Sequence, residues 1–117
     1  MPPDDADPSN LRLGLLSAWE KINAYDAFAS GLGPPPETLG LPRLPSPLPE
    51  ESQLDIARRW ASIFREEIET VRLVRNAVAH ARPISEATLR EAARLADRLL
   101  STLHTGLAQA SSDLAAG

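Results

Sequence analysis

Seven prolines and three glycines fall within residues 31–50, GLGPPPETLGLPRLPSPLPE. Each proline fixes φ and removes a backbone donor, so neither a helix nor a central strand can run through this segment. The block divides the 117-residue chain into a short N-terminal part and a longer C-terminal part, and any fold must join the two across it. The segment also carries Leu32, Leu39, Leu41, Leu44 and Leu48, which an open linker does not need. Twenty residues without regular structure are long for a compact domain. An ordered proline-rich crossover, laying its leucines over helical grooves, accounts for both features. A disordered loop is the alternative, and a polyproline ligand for a partner's aromatic groove is a third reading.

On either side of the block the apolar residues recur at helical spacing. Residues 1–9 hold three prolines and three aspartates and read as a disordered lead-in. Ser9 or Asn10 can cap a first helix over about 10–29, in which Leu11, Leu15, Ala18, Trp19 and Ile22 share a face. It stops at Ser30-Gly31-Leu32-Gly33, and Gly14 within it permits a neighbour to approach closely. The spacing predicts a second helix over about 50–81, free of internal glycine and proline, with Leu54, Ala57, Trp60, Ala61, Phe64, Ile68, Val71 and Val78 on its stripe. At 1.5 Å per residue it would be a spine of about 45 Å. A third helix over about 85–107 opens at an Ser85 N-cap, with Ile84 and Leu89 placed as a hydrophobic staple and Glu86 paired with Arg90. Residues 108–117 read as a frayed tail. No stretch shows the alternation of a strand. The expectation is an all-α, up-down bundle of three main helices, a single domain over 10–107, and a dimer.

Composition removes several classes of function. The chain has no cysteine, which excludes disulfide scaffolds, thiolate zinc sites and a thiol nucleophile. Two histidines, His80 and His104, without clustered carboxylates are too few for a metal centre, and no phosphate loop or nucleophile elbow occurs, so no metal and no cofactor is expected. The net charge is −4, which argues against a broad grip on duplex nucleic acid. The charge is uneven, however: eight acids face three bases up to residue 53, whereas nine arginines face seven acids over 54–104. The first ten residues lack the basic flank and apolar core of a signal peptide, and no run spans a bilayer; a cytoplasmic protein without membrane contact is expected.

One group of polar residues sits badly with a core. In Val71-Arg-Leu-Val-Arg-Asn-Ala-Val-Ala-His80-Ala-Arg-Pro83, Arg75 falls inside the apolar arc defined by Phe64, Val71 and Val78. Arg72, Asn76 and His80 follow at four-residue spacing along its edge. An arginine in such a stripe is costly unless paired or opened to a cleft. A structural account is available: Arg75 can snorkel, Asn76 can bond a loop carbonyl and His80 can cap the helix end. Trp19, Tyr25 and Trp60 fit core positions, and Glu66, Glu67 and Glu69 a solvated face.

The string Arg75-Asn76-Ala-Val-Ala-His80 resembles the signature of the HEPN superfamily (higher eukaryote and prokaryote nucleotide-binding domains). That signature is an arginine, a polar residue directly after it, and a histidine four to six residues beyond the arginine, near the end of a long helix. The wider string VRNAVAHARPISEATL and the leucine-rich helix after it extend the likeness over about residues 54–105. Residues 10–30 match only as the expected preceding helix. The resemblance implies a helical bundle that pairs with a second copy, so that two signatures line one cleft, where many members cut single-stranded RNA without metal. Arg75, Asn76 and His80 take the signature positions as catalytic residues. Arg72 and Arg82 are added from geometry as RNA-binding residues. Some members are toxins or defence proteins, with an antitoxin or an associated NTPase or nuclease as partner, and others are inactive dimerisation or interaction modules. The aromatic residue that several toxins carry after the histidine is replaced here by Ala81-Arg82-Pro83.

Overall fold

A computed structural model describes residues 8–34, residue 36 and residues 48–117. The described residues form four helices and no strand: α1 (Pro8–Ala29), α2 (Glu50–Ile63), α3 (Arg65–Ala79) and α4 (Glu86–Ala116). An all-α helical bundle is therefore correct. None of its helices is long and apolar enough to cross a membrane.

Helix α1 opens at Pro8, whose missing N–H is one the first turn would leave unpaired in any case. Ser9 and Asn10, expected as caps, lie inside that turn. Its buried face is Leu15, Trp19, Ile22, Tyr25 and Phe28. Gly14 does not serve a close approach, since a Cβ built there meets nothing within 4 Å. The helix ends in a Schellman turn. Gly31 takes φ 76°, its N–H donates to Phe28 O, and Leu32 N–H donates to Ala27 O at 2.8 Å.

The segment expected as one helix over 50–81 is two. Phe64 (φ −105°, ψ 25°) ends α2 and precedes α3. Its N–H still reaches Trp60 O and its carbonyl still accepts from Ile68 N–H, although the residue itself leaves the helical conformation. Glu66 and Glu67 occupy the first turn of α3, where the dipole favours acids, instead of merely a solvated face. Arg65 grips Asp26 of α1 with both guanidinium nitrogens, at 2.7 and 3.1 Å, directly beside the break.

Helix α4 begins as its sequence dictates. Ser85 Oγ accepts from Thr88 N–H at 3.1 Å, Ile84 packs on the core above buried Leu89, and Arg90 pairs with Glu86 at 2.6 Å. It then runs past the expected end at 107. Leu99, Leu103, Leu107 and Ser111, four apart, are all buried, and helix continues through the residues read as a frayed tail. At 31 residues it is about 46 Å long, so α4 is the spine in place of the second helix.

Around α4 the other three helices close the core. Ile68, Val71 and Val74 of α3 and Ala57, Trp60 and Ala61 of α2 meet the α1 stripe. Trp60 Nε1 donates to Leu99 O inside α4 at 2.9 Å, and its ring meets Tyr25 edge-on at 6.4 Å, an arrangement aromatic pairs favour. Of the crossover, Leu32 is exposed and Leu48 buried, with Gln53 Nε2 donating to Leu48 O. Leu39, Leu41 and Leu44, like the lead-in 1–7, lie outside the described residues.

Candidate functional site

The last turn of α3 and the connection to α4 carry the polar residues singled out above. Val71 and Val74 hold the inner face of α3 in the core. Arg75, 40° around the helix from the inward-pointing Val71 direction, is consequently half-buried. Its Nη1 donates to Asn76 Oδ1 at 3.1 Å. Its Nε is buried without a partner, and no carboxylate among the described residues forms an ion pair with it. The buried Nε is closed to an incoming ligand, so an anion would meet this guanidinium at its terminal nitrogens.

Asn76 is half-buried and His80 exposed. His80 is the C-cap residue of α3, its N–H bonded to Asn76 O at 3.0 Å. The ring stands opposite the buried face, since residue 80 lies about 180° from Val71 at 100° per residue. Leu73, seven residues earlier, lies on the same outward stripe and is 63% exposed. The three signature residues therefore form a band running from the edge of the core to open solvent, with an exposed leucine alongside. The two added arginines differ. Arg72 is occupied by Glu69 of its own helix, through Nε at 2.9 Å and Nη2 at 2.6 Å. Arg82 lies beyond the helix end, exposed, with no ion pair to any described residue.

The helix end itself is strained. Ala81 adopts φ 52°, a region that costs any residue with a Cβ. It completes a second Schellman turn, in which Ala81 N–H donates to Val78 O at 3.2 Å and Arg82 N–H to Ala77 O at 2.8 Å. Here alanine stands where glycine is usual. Sequence inspection for Gly and Pro passes over it, because the signal is only the Pro83 that follows.

Two titratable groups elsewhere are perturbed by burial. His104 of α4, half-buried, is held below the ordinary histidine range by burial and then by Lys21. Burial drives the Tyr25 phenol well above its usual value. Among the described residues no three histidine, aspartate or glutamate side chains are grouped as a metal would need. Comparison of the chain with protein-family models, curated proteins and solved structures finds no match.

Proposed function

We propose that the chain is a cytoplasmic, metal-independent endoribonuclease of the HEPN type, acting on single-stranded RNA at a cleft between two copies. The observation that supports this reading most is Arg75: a half-buried guanidinium oriented by Asn76 and answered by no carboxylate of the described residues. Its free donors suit a phosphate on which charge develops. His80, one turn further on and open to solvent, supplies an imidazole for proton transfer.

The chemistry needs two proton carriers, and one chain offers one histidine in this band. In a symmetric pair, one His80 takes the proton of the RNA 2′-hydroxyl as that oxygen attacks the phosphorus. The partner's His80, protonated, delivers a proton to the departing 5′-oxygen. The P–O5′ bond breaks as P–O2′ forms, leaving a 2′,3′-cyclic phosphate and a free 5′-hydroxyl. Leu73, exposed on the same stripe, gives the pairing face apolar area. Arg72 reaches RNA by exchanging Glu69 for phosphate, which costs little because both side chains are nearly half exposed. Arg82 continues the positive edge beyond the helix. An antitoxin, or an NTPase or nuclease partner, would regulate such an enzyme by covering this face.

The test is RNA cleavage by protein in EDTA. Replacing His80→Ala should lower the rate by about 10²–10⁴-fold while the fold is retained, products should end in cyclic phosphate, and a 2′-deoxy position should resist. Cleavage that is indifferent to residue 80, or that requires a divalent ion, overturns the mechanism. A dimer that cuts no RNA leaves the same face as a non-catalytic pairing module.

A further inference from the structure

A depression of about 300 Å³ opens beside the signature band, lined by Arg12, Val78, Ala81, Arg82, Pro83 and Ile84. Five of these come from the end of α3 and the turn after it. Arg12 comes from α1, the far end of the sequence. Both arginines are exposed, and neither is ion-paired to a described residue.

Two like charges facing one hollow repel each other, so their convergence calls for a reason. Helix capping does not supply it. The carbonyls of Asn76, Val78 and Ala77 already accept from the backbone N–H groups of His80, Ala81 and Arg82, and the turn closes without the Arg82 side chain. Arg12 lies one turn inside the N-terminal end of its helix, where a cation gains nothing from the dipole. The remaining lining is apolar: Val78, Pro83 and Ile84. The hollow thus combines two guanidinium forks at its rim with a small hydrophobic wall, and its volume sits at the lower end of ligand pockets. An inorganic anion would leave that wall unused. A phosphate carrying a flat, weakly polar body would use both parts, with the guanidinium planes also available for stacking.

We propose that this depression seats a nucleotide of the RNA strand flanking the cut bond, its phosphate between Arg12 and Arg82 and its base or ribose on Val78, Pro83 and Ile84. The inference rests on the reading of α3 as an RNA-cleaving face, and its position follows from chain continuity, since Ala81 directly adjoins His80. It makes Arg12, on a helix outside the signature, a substrate-binding contact beside Arg82.

The experiment uses the full chain with His80→Ala to keep RNA intact, an eight-nucleotide single-stranded RNA, and fluorescence anisotropy. Arg12→Ala and Arg82→Ala should each weaken binding by about tenfold and lower the slope of log K against log salt by about 0.7. Arg12→Lys should keep the slope and recover only part of the affinity. Both arginines are exposed, so unfolding midpoints should stay put. Unchanged RNA binding in both variants, alongside His80-dependent cleavage, overturns this seat and leaves the ribonuclease standing. Should the protein cut no RNA, while adenosine monophosphate shifts the Ile84 methyl resonances in an Arg12-dependent way, the nucleotide seat stands and the cleavage reading falls. Equal competition by an oligoglutamate peptide would overturn it in favour of an acidic protein partner.

Discussion

Two helix ends in this protein are built on the same turn with different residues at the left-handed position, Gly31 after α1 and Ala81 after α3. Exchanging them isolates the cost of that backbone state. A Cβ in the left-handed region costs about 1–2 kcal/mol. Glycine returns about 0.4–1 kcal/mol of this through the greater freedom of the unfolded chain. Ala81 is exposed, so removing its methyl sacrifices little burial. Ala81→Gly should therefore stabilise the protein by about 0.5–1 kcal/mol, raising Tm by about 2–5 °C. At Gly31 an added Cβ meets nothing within 4 Å, so Gly31→Ala carries only the conformational cost and should destabilise by a similar amount. The two turns share no partner, and the double exchange should return to near the parent value. Reversible urea and thermal unfolding followed by circular dichroism measure all three. A lower midpoint for Ala81→Gly, or a harmless Gly31→Ala, would refute the assignment of strain to the end of α3.

The remaining predictions concern α1. Tyr25, the only tyrosine, has a buried hydroxyl without a partner among the described residues and a pKa raised by burial. The folded state thus holds its proton above the unfolded value near 10, and this stability is present below about pH 10 and lost as pH rises beyond it. Phenolate absorbance should appear only together with unfolding, and Tyr25→Phe should be neutral to stabilising by about 1 kcal/mol and flatten the alkaline limb; a phenol that ionises in the folded protein near pH 10 would contradict this. Gly14→Ala, in an exposed helical position with open space for the methyl, should add about 0.5–1 kcal/mol in urea unfolding; a loss would contradict the open space at that position.

Much of this was legible in the sequence where local chemistry decides the outcome. Ser85, the Ile84–Leu89 staple and the Glu86–Arg90 pair are short-range signals, and all three are in place. The half-burial of Arg75 followed from its position on the helical wheel. The break at Phe64 was not legible, because no glycine or proline marks it; its support is the Arg65–Asp26 fork, which joins residues 39 apart. The extension of α4 was hidden by Gly106 and the serines at 111 and 112, whose poor propensity is overridden by the burial of Leu107 and Ser111. Arg12 could not be found by any pattern, since the residues it joins lie on another helix and its connection.

The one-residue interruption at Phe64 also bears on how the molecule opens. The first N–H groups of α3 have no preceding helical carbonyls of their own, and Phe64 supplies no side-chain cap. A continuous 30-residue rod would protect its amides from end to end, whereas here an unprotected stretch interrupts the middle. Helix α3 loosens first at its two ends, the exposed Arg65–Asp26 pair and the strained turn, while Ile68, Val71 and Val74 keep its middle in the core. The amides of the turn after His80 should therefore exchange ahead of those around Val71, while Trp60, anchored on the Leu99 carbonyl, keeps α2 fixed to the spine.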